Sequence, residues 1–207
     1  MSTLVYYHRK IHFVLLSGDL NEPPPVEGDE IRLVTKKDIP LLSSMYRSEQ
    51  VYLRRLQNGY SAIICIRGGK AVHMEWFCRS HYYIWDGRVT LDPGPGGYYL
   101  FDLYTKPEFR GRGIWRLAMR RLLDHIRNTN SDPVLFSAVD YLNHSALRAH
   151  LKNGFSGLGM LEFKQVCGLR KWSYRHRNGL PDDFEWGFAG VHNARLSYRE
   201  NALRLGM

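Results

Sequence analysis

The run Tyr98-Tyr99-Leu100-Phe101-Asp102-Leu103-Tyr104-Thr105, followed by Lys106-Pro107-Glu108-Phe109-Arg110-Gly111-Arg112-Gly113-Ile114-Trp115, constrains this chain more than any other stretch. Its aromatic and aliphatic residues predict a strand over 98–105. Pro107 removes a ladder donor and ends that strand. Gly111 and Gly113 lack a Cβ, so the backbone there is free to take unusual φ and to approach a ligand closely. Beyond them Ile114, Leu117, Ala118, Leu122 and Ile126 recur at helical spacing, with Arg116, Arg120, Arg121 and Arg127 available to the other side. The order is therefore strand, Gly- and Arg-rich turn, helix. The first amides of a helix have no intrahelical acceptor and sit at its positive end. An anion there gains hydrogen bonds and about 0.3–1 kcal/mol of dipole energy. The turn reads as a pyrophosphate cradle, although it has neither the Lys-Ser/Thr ending of a P-loop nor the G-x-G-x-x-G spacing of a dinucleotide fingerprint. An ordinary strand-to-helix turn on a basic protein is the other reading of Arg-Gly-Arg-Gly alone.

Ahead of this run, residues 4–16 read as one or two strands, and Asn21-Glu22-Pro23-Pro24-Pro25 as a stiff linker, so residues 1–29 form an N-terminal extension. A short strand over 30–34 precedes a helix opened by Asp38, with Ile39, Leu42, Met45 and Tyr46 at helical spacing. A second helix carries Leu53 and Leu56 and stops at Asn58-Gly59. Residues 60–66 and 71–78 form a hairpin through Gly68-Gly69, placing Val72, Met74 and Trp76 on one face and His73, Glu75 and Phe77 on the other. Asp86-Gly87 marks a second hairpin. Residues 134–139 read as a buried strand.

Asn143-His144-Ser145-Ala146 then opens a helix that stops at Gly154, with Phe155 as its apolar anchor. Two strands, over 158–166 and 169–174, follow. By itself this helix is more often structural than functional. The strand ending ahead of Pro107, then Arg110-Gly111-Arg112-Gly113-Ile114, and downstream Asn143, Ala146 and the pair Gly154-Phe155, together resemble the two acyl-CoA motifs of the GNAT acetyltransferase superfamily, in the family's order. The resemblance covers residues 30–175. It implies an α/β fold with a mixed central β-sheet flanked by helices and splayed at its middle. Residues 176–207 are then a basic C-terminal extension packed on the domain, with Arg177, Arg195, Arg199 and Arg204 beside Phe184, Trp186 and Phe188, and a helix from Val191 on. This tail reads either as a solvated cap, or as a dimer arm or acceptor-site lid, and a homodimer follows from the arm.

A chain of 207 residues with 44% hydrophobic content suits one domain with a full core. The net charge of +9 implies an anionic partner, and CoA, nucleic acid or an anionic membrane surface each satisfies it. Cys65, Cys78 and Cys167 are odd in number and far apart, which suggests neither a disulfide framework nor a zinc site, and fits a reducing cytoplasm. The early apolar run over residues 11–16 is too short for a signal segment or a membrane span.

The resemblance further implies acetyl-CoA as acyl donor, its pantetheine paired with the backbone of Leu103, Tyr104 and Thr105. Its pyrophosphate would lie on Arg110, Gly111, Arg112, Gly113, Ile114 and Trp115, with Asn143 near the head of its own helix in contact. Trp115 departs from the family, where a small residue lets the phosphates approach. The implied reaction is direct transfer of an acetyl or other short acyl group to a primary amine, with a strand amide supporting the oxyanion. A base is needed, because an ammonium cannot attack; Glu75 and Asp102 are the strand carboxylates in position, either of which reads equally as structural. His150 stands where the family commonly carries a Tyr that protonates the departing thiolate, and a partly buried helix histidine is its plainer reading. No metal is implied. Tyr82, Tyr83, Trp85, Tyr98 and Tyr99 suggest a pocket for a small-molecule or peptide amine, but such residues are more often core. A basic nucleic-acid or membrane-surface binding module without catalysis is the alternative, and no recognition motif supports it.

Overall fold

The computed structural model describes residues 6–17, 20, 29–85, 88–167, 169–176 and 187–189. Among these, the strands are β1 (Tyr6–Ser17), β2 (Glu30–Leu33), β3 (Ser61–Arg67), β4 (Lys70–Cys78), β5 (Tyr82–Ile84), β6 (Val89–Asp92), β7 (Gly97–Thr105), β8 (Val134–Asp140), β9 (Ser156–Val166), β10 (Leu169–His176) and β11 (Gly187–Ala189). The helices are α1 (Ile39–Leu42), α2 (Glu49–Gln57), α3 (Ile114–Arg127) and α4 (His144–Lys152), with single 3-10 turns at Lys36–Asp38 and Pro107–Phe109. No helix among the described residues is long and apolar enough to cross a membrane. The chain divides into two compact units, one of residues 18–78 and 100–133, the other of residues 1–17, 79–99 and 134–207, so β7 contributes to both.

In the first unit the strand order is β7-β4-β3-β2. The antiparallel β3–β4 hairpin closes on Gly68 and Gly69, with φ of 56° and 71°, the left-handed pair that a tight two-residue turn demands. Its register skips one residue, since Cys65 opposes His73 while Ile66 opposes Ala71. Val72 is the residue left over, and it packs with Cys65 and with Ile114 of α3. Strict alternation, which groups Val72 with Met74 and Trp76, fails at this bulge. Trp76 stacks on Tyr52 of α2, ring planes 1° apart at 5.8 Å, whereas Phe77 meets His125 of α3 edge-on. Helix α3 buries Ile114, Ala118, Met119, Leu122, Leu123 and Ile126, each of the larger five contributing roughly 1.5–3 kcal/mol. Arg120 and Arg121 stay exposed.

Helix α1 is shorter than its apolar spacing predicts. Ser43 and Ser44 donate their hydroxyls back to the carbonyls of Pro40 and Leu41 at 2.7 and 2.8 Å, a local alternative to further helix, so Met45 and Tyr46 fall outside it. Its start is held by Asp38, which accepts from Thr35 N and Oγ1 and is gripped by both Nη atoms of Arg32 at 2.7 and 2.8 Å. Helix α2 ends at Asn58, and Gly59 follows at φ 77°, as its sequence predicts.

In the second unit the order is β10-β9-β1-β8, continued by the start of β7. Strand β1 is one strand of 12 residues, antiparallel to β8 on one side and to β9 on the other. Its Phe13, Val14, Leu15 and Leu16 are buried. The segment expected to be an N-terminal extension therefore supplies an inner strand. A separate small sheet runs β11-β6-β5, with Phe188 opposite Leu91, so this part of the tail pairs as a strand. The Pro-rich linker, the Asp86-Gly87 turn and the helix expected from Val191 lie outside the described residues.

Candidate functional site

The end of β7 and the start of α3 frame the Gly- and Arg-rich turn. Lys106 N donates to Val72 O at 3.0 Å, tying the strand end to β4, and the 3-10 turn Pro107–Phe109 follows. Gly111 and Gly113 have φ of 75° and 76°, and Gly113 is the residue from which α3 springs. A Cβ at either would meet nothing within 4 Å. Glycine is there for its backbone, since a left-handed L-residue costs about 1–2 kcal/mol, and the space over both α-carbons is open. Arg110 donates from Nε to the Thr105 carbonyl at 3.0 Å, with its guanidinium 5.9 Å from the Tyr104 ring centre. Arg112 lies 5.5 Å from the Phe109 ring centre. Both charges are thus held along the turn. Leu103, Tyr104 and Thr105 are half-buried.

Asp102 is a left-handed residue inside β7, at φ 47°. Arg55 of α2 donates from Nη2 to its Oδ2, and Arg47 Nε stands 3.7 Å from the same atom. The Arg55 guanidinium also lies 5.1 Å from the ring centres of both Trp76 and Phe101. Sequence reasoning missed Arg55. Its partner is 47 residues away, and an arginine on a helix between Leu53 and Leu56 carries no mark of that distance.

Glu75 is fully buried on β4, and His73 two residues earlier is 1% exposed. His73 Nδ1 and Thr105 Oγ1 are hydrogen-bonded at 2.8 Å, and His73 Nε2 lies 3.6 Å from Glu75 Oε2. Among the described residues neither Glu75 oxygen finds a partner in hydrogen-bond geometry. Burial pushes its carboxyl pKa up, opposed by His73 and by the side chain of Trp115. The Trp115 Nε1 atom is buried, so the indole turns inward from the first turn of α3. Of the two carboxylates singled out in the sequence, Asp102 is partly exposed at 19% and paired, whereas Glu75 is sealed.

Asn143 and His150 belong to the other unit. Asn143 caps α4, its Oδ1 accepting from Ala146 N at 3.1 Å and from Ser145 Oγ at 3.0 Å, and its residue is exposed. His150 is 5% exposed and packs edge-on against Phe155. Its Nδ1 lies 2.8 Å from Ala146 O, and since a carbonyl only accepts, Nδ1 carries the proton. Burial lowers its pKa, partly offset by that bond, so the ring is neutral at pH 7 and Nε2 is its accepting nitrogen.

Residues 53–155 match the model of the acetyltransferase (GNAT) family. No match is found among curated proteins. Of solved structures, a GNAT-family protein of Novosphingobium aromaticivorans is similar at TM-score 0.55 and 13% identity, over 84% of this chain and 67% of that one. A Drosophila protein aligns at TM-score 0.54 and 16% identity over 79% of this chain and 52% of its own, so this chain spans about half its length. A conserved protein of unknown function from Staphylococcus epidermidis aligns at TM-score 0.52 and 9% identity, over 77% of this chain and 61% of that one. At such identities the structures share a fold, and the sequence match gives the family: residues 53–155 of this chain are a domain of the acetyltransferase (GNAT) family.

Proposed function

We propose that this chain transfers an acetyl or other short acyl group from acetyl-CoA to a primary amine by direct attack, in the cytoplasm. One observation carries the reading. Inside the family-matched segment, two left-handed glycines leave open space over their α-carbons at the head of a 14-residue helix. Such a turn receives a pyrophosphate on its amides, from Arg110 to Trp115, with two arginine charges alongside. Leu103, Tyr104 and Thr105 offer backbone to the pantetheine, and the Thr105 carbonyl, already bonded to Arg110, keeps one lone pair. Asn143 has its oxygen engaged in the cap of its own helix, which leaves its amide nitrogen as the side chain's donor.

In the reaction the amine nitrogen bonds to the thioester carbonyl carbon, the C–S bond breaks, and CoA departs as thiolate with the bonding pair. As the C–N bond forms the nitrogen gives up one N–H proton to solvent, and before that the ammonium must shed a proton of its own. Asp102 accepts it through water, being the carboxylate of the two with solvent access, and Arg55 keeps it aligned. The thiolate, from a thiol of pKa ~8.5, leaves without obligatory protonation. A neutral His150 with its N–H committed to Ala146 leaves that proton to solvent. The acceptor is a small-molecule or peptide amine.

Melting is measured with acetyl-CoA and, separately, with an equal concentration of an oligonucleotide. Acetyl-CoA should raise Tm, by about 2.7 kcal/mol of stabilisation at a hundredfold excess over Kd. Thiol release is then followed across a panel of primary amines. A shift with the oligonucleotide alone, or no thiol release with any amine, defeats the reading.

A further inference from the structure

The two ends of the phosphate turn share one buried anchor. Thr105, the last residue of β7, is hydrogen-bonded to His73, and Trp115, in the first turn of α3, buries its indole Nε1 and acts on the Glu75 carboxyl. His73 and Glu75 are neighbours on the same face of β4, 3.6 Å apart and sealed from solvent at 1% and 0% exposure. Nine residues of turn lie between Thr105 and Trp115, and besides this pair they are fixed by the Lys106–Val72 bond and by Ile114 and Phe109 packing with Cys65 and Val72. A sealed carboxyl with no hydrogen bond in good geometry is destabilising, so packing alone would favour an apolar residue at 75. Trp115 also presents a difficulty by its size, because a side chain that large over the turn would cover the amides. The inward indole removes it.

We infer that Glu75 and His73 are positioning residues for the donor site: they hold Trp115 under the turn and Thr105 at its entry, so that the Gly111–Gly113 backbone stays uncovered for the CoA pyrophosphate. This rests on the function proposed above. It gives Glu75 a part in ligand binding in place of proton abstraction, and it accounts for a tryptophan where the phosphates need room.

CoA affinity is measured by calorimetry on the full chain and on the variants Trp115→Ala, Trp115→Phe, Glu75→Leu, Glu75→Gln and the double variant Glu75→Leu/Trp115→Ala. Each of Trp115→Ala and Glu75→Leu should weaken CoA about tenfold, and the double variant no more than the worse single, because both act through one contact. Glu75→Gln, which keeps a polar partner for His73 and Trp115, should stay within threefold of wild type. A merely structural role would lower Tm in all of them without this rescue or this coupling. Should Glu75→Leu fail to fold, the indole N–H resonance of Trp115, assigned by its loss in Trp115→Phe, serves on the free protein: it should shift in Glu75→Gln. Trp115→Ala binding CoA as tightly as wild type, single effects that multiply, or an indole resonance unmoved by Glu75→Gln each overturn the inference alone. A wild type that does not bind CoA overturns it together with the function.

Discussion

Arg55 of α2 clamps Asp102 of β7, the one residue of that strand with a left-handed backbone among those described. The pair joins a strained position to a fixed charge, and the two contributions are separable by substitution. Asp102→Gly removes the carboxylate and relieves the strain, since glycine takes positive φ freely. If Asp102 is the base, turnover in Asp102→Gly should fall about 10²–10⁴-fold while acetyl-CoA affinity stays within threefold. Steady-state kinetics with a separate binding measurement checks this. Unchanged turnover would leave Asp102 only its part in shaping β7.

Gly113 tests the turn from its open side. Gly113→Val forces a branched residue into the left-handed region and sets its side chain in the space left for phosphate. Stability should drop by about 1–2 kcal/mol and the acetyl-CoA melting shift should vanish. Gly113→Asn, better tolerated at positive φ, should keep Tm close to wild type and still lose most of the shift. A normal shift in either would place the donor elsewhere.

His150 is buried and neutral, so its folded pKa lies below its unfolded one. A base of that kind stabilises above the unfolded value of about 6.5, and its contribution is lost as pH falls through that value towards the folded one. Wild type should lose stability on acidification below about pH 6.5 more steeply than His150→Phe. Turnover of His150→Phe at pH 7 should remain within threefold of wild type with the same pH profile. A loss of about 10²-fold or more would restore it as the acid for the thiolate.

Arg32 and Thr35 hold the Asp38 carboxyl at a pKa of about 2, down from 3.8. The shift is downward, so the stabilisation is present above pH 3.8 and disappears as pH falls towards 2. Asp38→Asn should cost about 2 kcal/mol at pH 7, and the gap to wild type should close between about pH 4 and pH 2 in urea melts.

Leu15 on β1 is fully buried, opposite Phe136 on one side and Ser156 on the other. Leu15→Ala should cost about 2–5 kcal/mol in denaturant unfolding. A cost under about 0.5 kcal/mol, normal for a surface position, would mean that β1 is dispensable.

What could be read from the residues was local or periodic. The β7 strand, its ending at Pro107, the glycine turn and the apolar stripe of α3 each depend on neighbours within a few positions, and so does the Asn143 cap. The Gly68-Gly69 hairpin was legible for the same reason. The length of α1 was not, because serine back-bonding competes with helix on nearly equal terms, and neither was the bulge that turns Val72 to Ile114. The sequence by itself determined the order of elements and the chemistry offered at the turn, since backbone preference and side-chain type act along the chain. Tertiary structure alone decided that β1 lies between β8 and β9, that Asp102 is held by Arg55, and that Glu75 is sealed in the core with Trp115 acting on it. Those relationships join residues 40 to more than 100 positions apart, and only packing in three dimensions chooses between the faces and partners that the one-dimensional pattern leaves equivalent.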